Sequence, residues 1–63
     1  MLAQNIKKFR KKAKLSQEAL AQKADITYST LIKIESGAND NPTIKTIVKI
    51  AKALGVKIDE LVC

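Results

Sequence analysis

Two short segments with helical periodicity, joined by a turn of only a few residues, lie in the middle of the sequence. The first helix is predicted over residues 16–23, because the hydroxyl of Ser16 can cap a helix N-terminus and apolar residues then recur at three- and four-residue spacing. The second is predicted over residues 27–36, with Thr27 as its cap and Gly37 in the position that commonly ends a helix. A connection this short requires the two helices to pack directly against each other.

Three further helical patterns flank this pair, and no run of alternating apolar residues predicts a strand. They cover residues 3–13, 43–54 and 58–62. The side chains expected to face inward are Ile6, Phe9, Ala13, Leu20, Ala21, Ala24, Leu31, Ile34, Ile44, Ile47, Val48, Ala51, Leu54 and Leu61. A chain of 63 residues is long enough for one domain, residues 1–63. We therefore predict an all-α fold, a compact bundle of four to five short helices.

The formal net charge of +6 is concentrated near the N-terminus. Residues 7–14 contain six basic side chains and no acidic one, whereas the rest of the chain contains six of each. Such a basic segment indicates a polyanionic partner, namely DNA, RNA or an anionic membrane surface. The alternative is a solvated helix face that keeps the chain soluble. Because a helix distributes these side chains around its axis, only some of them can face one partner.

The residue types present do not favour catalysis or metal binding. The sequence has no histidine, and its one cysteine, Cys63, is terminal, so it lacks the residue pairs that nucleophilic catalysis and zinc binding need. We expect no enzyme activity, no small-molecule substrate, no cofactor and no metal. No apolar run approaches the roughly 20 residues of a membrane span, and the N-terminus lacks the pattern of a signal peptide. We therefore expect a cytoplasmic protein that does not enter membranes.

Several segments, in order and at ordinary spacings, resemble the phage repressor and Cro family, the XRE-type helix-turn-helix proteins. Residues 15–24 read LSQEALAQKA and resemble the second helix of that family. Residues 27–37 read TYSTLIKIESG and resemble the third helix, and residues 42–61 resemble the last two. The resemblance covers nearly the whole chain and places a helix-turn-helix at about residues 16–36. It implies sequence-specific binding of double-stranded DNA by a transcriptional regulator or repressor, usually as a dimer on a near-palindromic operator.

The same resemblance makes the helix at about residues 27–36 the recognition helix, which enters the major groove. Its expected base contacts are Thr27, Tyr28, Ser29, Ile32 and Lys33. A helical wheel independently turns the last three away from the core. Lys33 suits a guanine and Ile32 suits a thymine methyl group; the alternatives are a solvated lysine and an isolated apolar surface residue. Tyr28 is expected either to contact the DNA or to be partly buried at the edge of the helix pair.

Phosphate contacts are expected at helix N-termini and in the loop after the recognition helix. At Ser16 and Gln17, free N–H groups and the helix dipole favour an anion. The full set of expected phosphate contacts is Ser16, Gln17, Thr30, Asn39 and Asn41. Arg10 and Glu35 match a basic–acidic pair that links the first and third helices in this family, and we expect it to be structural.

Three features depart from the family pattern. Asp25 occupies a turn position that is often glycine, which puts the geometry of the turn in question. The loop at residues 39–41 reads NDN where cations are frequent, so its phosphate contacts would use amide groups. Lys57 stands where a serine or threonine would cap the last helix.

Partners and origin are left open by the sequence. The alternative function is a protein-interaction module, antitoxin-like or pairing with a regulator, with weak non-specific nucleic-acid binding. A homodimer through the C-terminal region is possible, because that region is apolar, but a monomer needs the same residues for its core. These residues are Val56, Ile58, Leu61, Val62 and Cys63. A complete small regulator, the N-terminal domain of a longer repressor and an engineered minimal binder are all consistent with the sequence.

Overall fold

A computed structural model of the chain describes residues 2–39 and 41–62, and five α-helices lie within those ranges. They are α1 (Leu2–Lys12), α2 (Gln17–Lys23), α3 (Tyr28–Ser36), α4 (Ile44–Leu54) and α5 (Ile58–Val62). The described residues include no strand. The predicted all-α bundle is confirmed, and the short C-terminal pattern forms the fifth helix.

Side-chain oxygens fix the start of four helices. The hydroxyls of Ser16, Thr27 and Thr43 each accept a hydrogen bond from the backbone N–H three residues later, at 3.0, 3.1 and 3.2 Å. Each satisfies one of the N–H groups that a helix start leaves without a partner. α5 uses the reverse contact, in which the backbone N–H of Lys57 donates to the carboxylate of Glu60 at 2.8 Å. This half of a capping box replaces the serine or threonine that position 57 lacks.

Four helix ends carry a residue in the left-handed backbone region, and two of these residues are not glycine. Gly37 and Gly55 have φ of 85° and 69°, whereas Lys14 and Asp25 have φ of 60° and 58°. Left-handed geometry crowds the Cβ of ordinary residues, and a short polar side chain such as aspartate tolerates it better than most. The turn between α2 and α3 therefore keeps, at Asp25, the geometry for which glycine is the usual choice.

The end of α1 differs slightly from the prediction. The helix ends at Lys12, not at residue 13. The N–H groups of Lys14 and Leu15 donate to the carbonyls of Lys11 and Arg10 at 3.0 and 3.1 Å, which is the hydrogen-bond pattern of a Schellman ending. This ending needs a left-handed residue at position 14, and the chain adopts it although lysine has no preference for it.

All five helices contribute to one hydrophobic core. Its largest fully buried side chains are Ile6, Leu20, Leu31, Ile34, Ile50 and Leu61. α3 packs against α1 and α2, while α4 packs against α1, α2 and α5. The side-chain amide of Asn5 donates to the carbonyl of Leu61 at 2.8 Å and joins α1 to α5. None of the helices within residues 2–39 and 41–62 combines the length and apolar character needed to cross a membrane.

Two of the predicted core positions are wrong. Ala13 is exposed because it lies beyond the last residue of α1. Ile44 is the first residue of α4 and is 69% exposed. The buried face of α4 is rotated toward Ile50 and Ala53, which the sequence analysis did not place in the core. Phe9, Val48 and Leu54 are only partly buried.

The left-handed residue at the end of α1 yields a prediction about stability. We expect Lys14→Gly to raise the free energy of unfolding by about 0.5–1 kcal/mol, because glycine removes the Cβ clash and the gain exceeds its larger unfolded-state entropy. Urea unfolding followed by circular dichroism measures this. The matched control is Lys8→Gly, which removes the same charge within α1 and is expected to cost about 1 kcal/mol. A loss of stability in both variants would contradict the argument.

Candidate nucleic-acid interface

The outward face of α3 carries most of the side chains that were predicted to contact bases. Ser29 and Lys33 lie one helical turn apart and are exposed, and Ile32 is partly exposed between them. Tyr28, the first residue of α3, is 47% exposed. This face therefore presents an ammonium, a hydroxyl and a phenol to solvent, and these groups can donate hydrogen bonds to base edges.

Tyr28 also contributes to a shallow surface groove between α2 and the start of α3. Glu18 and Gln22 on α2 line this groove together with Ile26 from the turn. From the sequence, Tyr28 is expected either to contact the DNA or to be partly buried at the edge of the helix pair. The structure allows both, because the ring lies at that edge and nearly half of its surface is exposed. No sequence signal assigns Glu18 or Gln22 to this surface.

The N-terminus of α3 is held by a pair of threonines. The Thr27 hydroxyl accepts the backbone N–H of Thr30 at 3.1 Å, and the two hydroxyl oxygens are 2.7 Å apart. Thr27 is the predicted cap of α3, and Thr30 lies in its first turn. Their hydroxyls already bond each other, so each has less hydrogen-bonding capacity left for DNA than the sequence suggested.

At the N-terminus of α2, the side chains of Ser16 and Gln17 make different hydrogen bonds. The Ser16 hydroxyl accepts the N–H of Ala19. The side-chain amide of Gln17 donates to the carboxylate of Glu35 at 3.1 Å. Helix geometry leaves the backbone N–H groups of the first turn without partners inside the helix, so the N–H groups of Gln17 and Glu18, together with the second N–H of the Gln17 side-chain amide, are the donors available to an anion.

A buried charge network connects α1, α2 and α3. The Arg10 guanidinium donates twice to the Glu35 carboxylate, from Nε at 2.8 Å and from Nη2 at 3.1 Å. Its Nη1 donates to the carbonyl of Leu15 at 2.9 Å. The Glu35 side chain is 2% exposed and that of Arg10 is 13% exposed. The structure thus brings the predicted pair together and adds Gln17, a link between distant segments that no local sequence signal reveals.

Some hydrogen-bonding groups of the loop after α3 are already paired within the loop or with α3. The backbone N–H of Asn39 donates to the carbonyl of Lys33 at 2.9 Å, and the Asn39 side-chain oxygen accepts the N–H of Asn41 at 3.2 Å. Asn39 is partly buried and Asn41 is exposed. Asp40 lies outside the described residues. The amide of the Asn41 side chain is therefore better placed to reach a phosphate than that of Asn39.

Comparison with known proteins places this arrangement in a family. A family model described as helix-turn-helix matches residues 6–61 of the chain. This chain belongs to the helix-turn-helix family. The immunity repressor of Bacillus phage phi105 is 39% identical over 61 residues, which cover 97% of this chain and 42% of the repressor. The resemblance to phage repressors inferred from the sequence is confirmed.

Two further comparisons give the same result, one with a relative in sequence and one with a solved structure. An uncharacterised HTH-type transcriptional regulator of Methanocaldococcus jannaschii is 43% identical over 56 residues, covering 89% of this chain and 83% of the regulator. The structure is also similar to a crystal structure of SinR, a master regulator for biofilm formation, in complex with DNA. The TM-score is 0.97 at 35% sequence identity, and the match covers 100% of both chains. The family is one of transcriptional regulators and not of enzymes. Among the described residues, no group of acidic side chains could hold a metal ion.

The buried network generates a prediction about Arg10. We expect Arg10→Ala to lower the free energy of unfolding by about 3–5 kcal/mol, because it leaves the Glu35 carboxylate buried without its counter-charge. Such a loss can unfold a domain of this size, so Arg10→Lys is the second variant. Lysine keeps the charge but lacks the planar fork, and we expect a loss of about 1–2 kcal/mol. Denaturant unfolding of both variants measures the effect.

The matched control replaces both partners. Arg10→Met combined with Glu35→Leu removes the pair and leaves no buried charge, so we expect it to regain most of the stability lost in Arg10→Ala. Arg10→Lys is expected to prefer the same DNA sequence as the parent. Equal melting temperatures for Arg10→Ala and the parent would show that the network does not brace the fold.

Proposed function

We propose that this chain regulates transcription by binding a specific sequence of double-stranded DNA, with α3 in the major groove. The observation that carries the proposal is the full-length fit to SinR in a complex with DNA. The outward face of α3 supports it, because the second helix of a helix-turn-helix reads base edges and its exposed side chains here are donors. The basic segment at the start of the chain supplies attraction to phosphates.

Base recognition is assigned to the exposed side chains of α3. Lys33 is proposed to donate to O6 or N7 of a guanine, and Ile32 to pack on a thymine methyl group. Ser29 can donate or accept, so it suits more than one base. Tyr28 and Thr27 stand at the helix start, where their remaining hydrogen-bonding groups reach either a base edge or the adjacent backbone.

Phosphate contacts are assigned to the start of α2 and to the loop after α3. The free backbone N–H groups at Ser16 and Gln17 favour an anion through the helix dipole, and the Gln17 amide is already held in position by Glu35. Thr30, Asn39 and Asn41 complete the proposed set.

A regulator that acts on chromosomal DNA works in the cytoplasm of a prokaryotic cell, which is the compartment expected from the sequence.

DNA selection tests the proposal most directly. From a random duplex library we expect one motif to emerge and to bind far more tightly than a scrambled duplex. Lys33→Ala is expected to reduce the preference for the selected base by about 1–3 kcal/mol, or roughly 5- to 150-fold. Fluorescence anisotropy titrations on duplexes that differ at single positions measure this.

The matched control for Lys33→Ala is Lys52→Ala. Lys52 is also exposed, but it lies on α4, so its loss should weaken all duplexes equally and change no base preference. Equal binding of the parent to every duplex, with steep loss of affinity in salt, would reject sequence-specific recognition. A protein partner would then be the better hypothesis.

We also propose that two copies of the chain pair through the C-terminal region. Val62 is 48% exposed and shares a face of α5 with the partly buried Ile58, whereas Leu61 is fully buried and serves the core. Val56 is partly buried, and Cys63 lies outside the described residues. An apolar face of this kind suits contact with a second copy when both bind one operator.

A charge at the proposed contact tests this pairing. We expect Val62→Glu to leave the melting temperature within about 2 °C of the parent, because the side chain is exposed. It should weaken binding to a duplex with two half-sites about 34–36 Å apart, while affinity for a single half-site stays unchanged. Unaltered binding to both duplexes would exclude Val62 from any dimer contact.

A further inference from the structure

The basic side chains of α1 divide into two sets that face different parts of the surface. Lys7 and Lys11, one helical turn apart, line an open groove between α1 and α3. Lys12 lines a different groove, with Phe9 from α1 and Val56 from the segment between α4 and α5. The ammonium of Lys8 lies 5.8 Å from the ring centroid of Phe9. Folding therefore separates lysines that the sequence presents as one cluster.

The groove that contains Lys7 and Lys11 borders the proposed reading surface. Its other wall is formed by Ile32 and Ser36, which lie one turn apart on α3. Gln17, the first residue of α2, also lines it. The groove thus runs from the anion-favouring start of α2 along the outward side of α3, so a DNA strand that touches α2 and α3 passes its mouth.

The electrostatics of this groove are strongly positive. Its charged side chains are Lys7, Arg10, Lys11 and Glu35. Arg10 and Glu35 neutralise each other in the buried pair, which leaves two ammonium groups. That pair is the one ion pair within residues 2–39 and 41–62, so neither lysine is neutralised by a carboxylate there. Two like charges one turn apart repel each other on an isolated helix, and a polyanion relieves this repulsion.

We propose that Lys7 and Lys11 form a separate phosphate-binding site on α1 that holds the DNA strand beside the major groove read by α3. This inference rests on the proposed function. The four residues from Lys7 to Lys11 span about 6 Å along α1, and consecutive nucleotides of one strand are about 3.4 Å apart along the DNA axis. Two flexible lysines at this spacing reach neighbouring phosphates of the same strand. Lys8 and Lys12 lie about 100° further around α1, on the side of Phe9, and contribute only long-range attraction.

The experiment compares two double variants of the same helix. Lys7→Gln with Lys11→Gln removes the proposed site, and Lys8→Gln with Lys12→Gln removes the same charge at the same spacing on the other face. Glutamine and lysine have similar helix propensity, so both variants are expected to fold, which thermal melting verifies. Affinity is measured from 50 to 200 mM salt on the selected duplex and on a scrambled duplex.

For Lys7→Gln with Lys11→Gln, we expect the slope of log K against log salt to become shallower by about 1.8, since each phosphate contact contributes about 0.9. The ratio of variant to parent Kd then shrinks by about tenfold between 50 and 200 mM salt. The base preference should not change. For Lys8→Gln with Lys12→Gln, we expect less than half of this change in slope.

The outcomes separate this inference from the proposed function. Equal changes of slope in the two double variants, with the base preference intact, would overturn the site on α1 while sequence-specific binding stands. Absence of any base preference in the parent, together with a slope change confined to Lys7→Gln with Lys11→Gln, would reject the proposed function and support the site on α1.

Discussion

The buried carboxylate of Glu35 is the constraint on which the geometry of this domain depends. A carboxylate that is 2% exposed is tolerated in a protein interior only when its charge and lone pairs are satisfied. Arg10 and Gln17 satisfy them from α1 and from the start of α2. Because burying an ion pair costs nearly as much free energy as the pairing returns, its main effect is to define how the three helices are placed.

The position of Glu35 on α3 gives this network its functional importance. Lys33 and Ile32 precede it by less than one helical turn, so a rotation of α3 that broke the bidentate pair would also move the side chains that are proposed to read bases. The same network holds the amide of Gln17 beside the first turn of α2. One buried carboxylate thus links the orientation of the proposed base-reading face to the position of the proposed phosphate-contacting end of α2, and a DNA-reading surface needs both relative to the same duplex.

Local chemistry made much of the fold predictable, and long-range contacts account for what was missed. Caps at Ser16, Thr27 and Thr43 followed from residue type, because a hydroxyl accepts a hydrogen bond three residues ahead wherever the chain turns into a helix. The buried face of α4 was assigned only in part because apolar residues cover more than half of the circumference of that helix, and packing against α1, α2 and α5 selects among them. The link from Gln17 to Glu35 spans 18 positions and has no local signature. The left-handed backbone at Lys14 belongs to the Schellman ending of α1, in which the N–H groups of Lys14 and Leu15 donate back to the helix, and lysine as a residue type does not signal it.

The charge of the chain also shows what composition can predict and what only the folded geometry determines. A net charge of +6 predicts the chemical class of the partner, but it cannot tell which cations touch it. The helix of α1 makes that distinction, because residues 7 and 11 fall on the side of α3 and residues 8 and 12 on the other. Attraction to DNA is a property of the whole charge, whereas the register of the protein on the duplex depends on a few fixed cations beside the reading helix. On the proposed arrangement, lysines away from α3 would speed the encounter, and those beside α3 would orient the domain once it is bound.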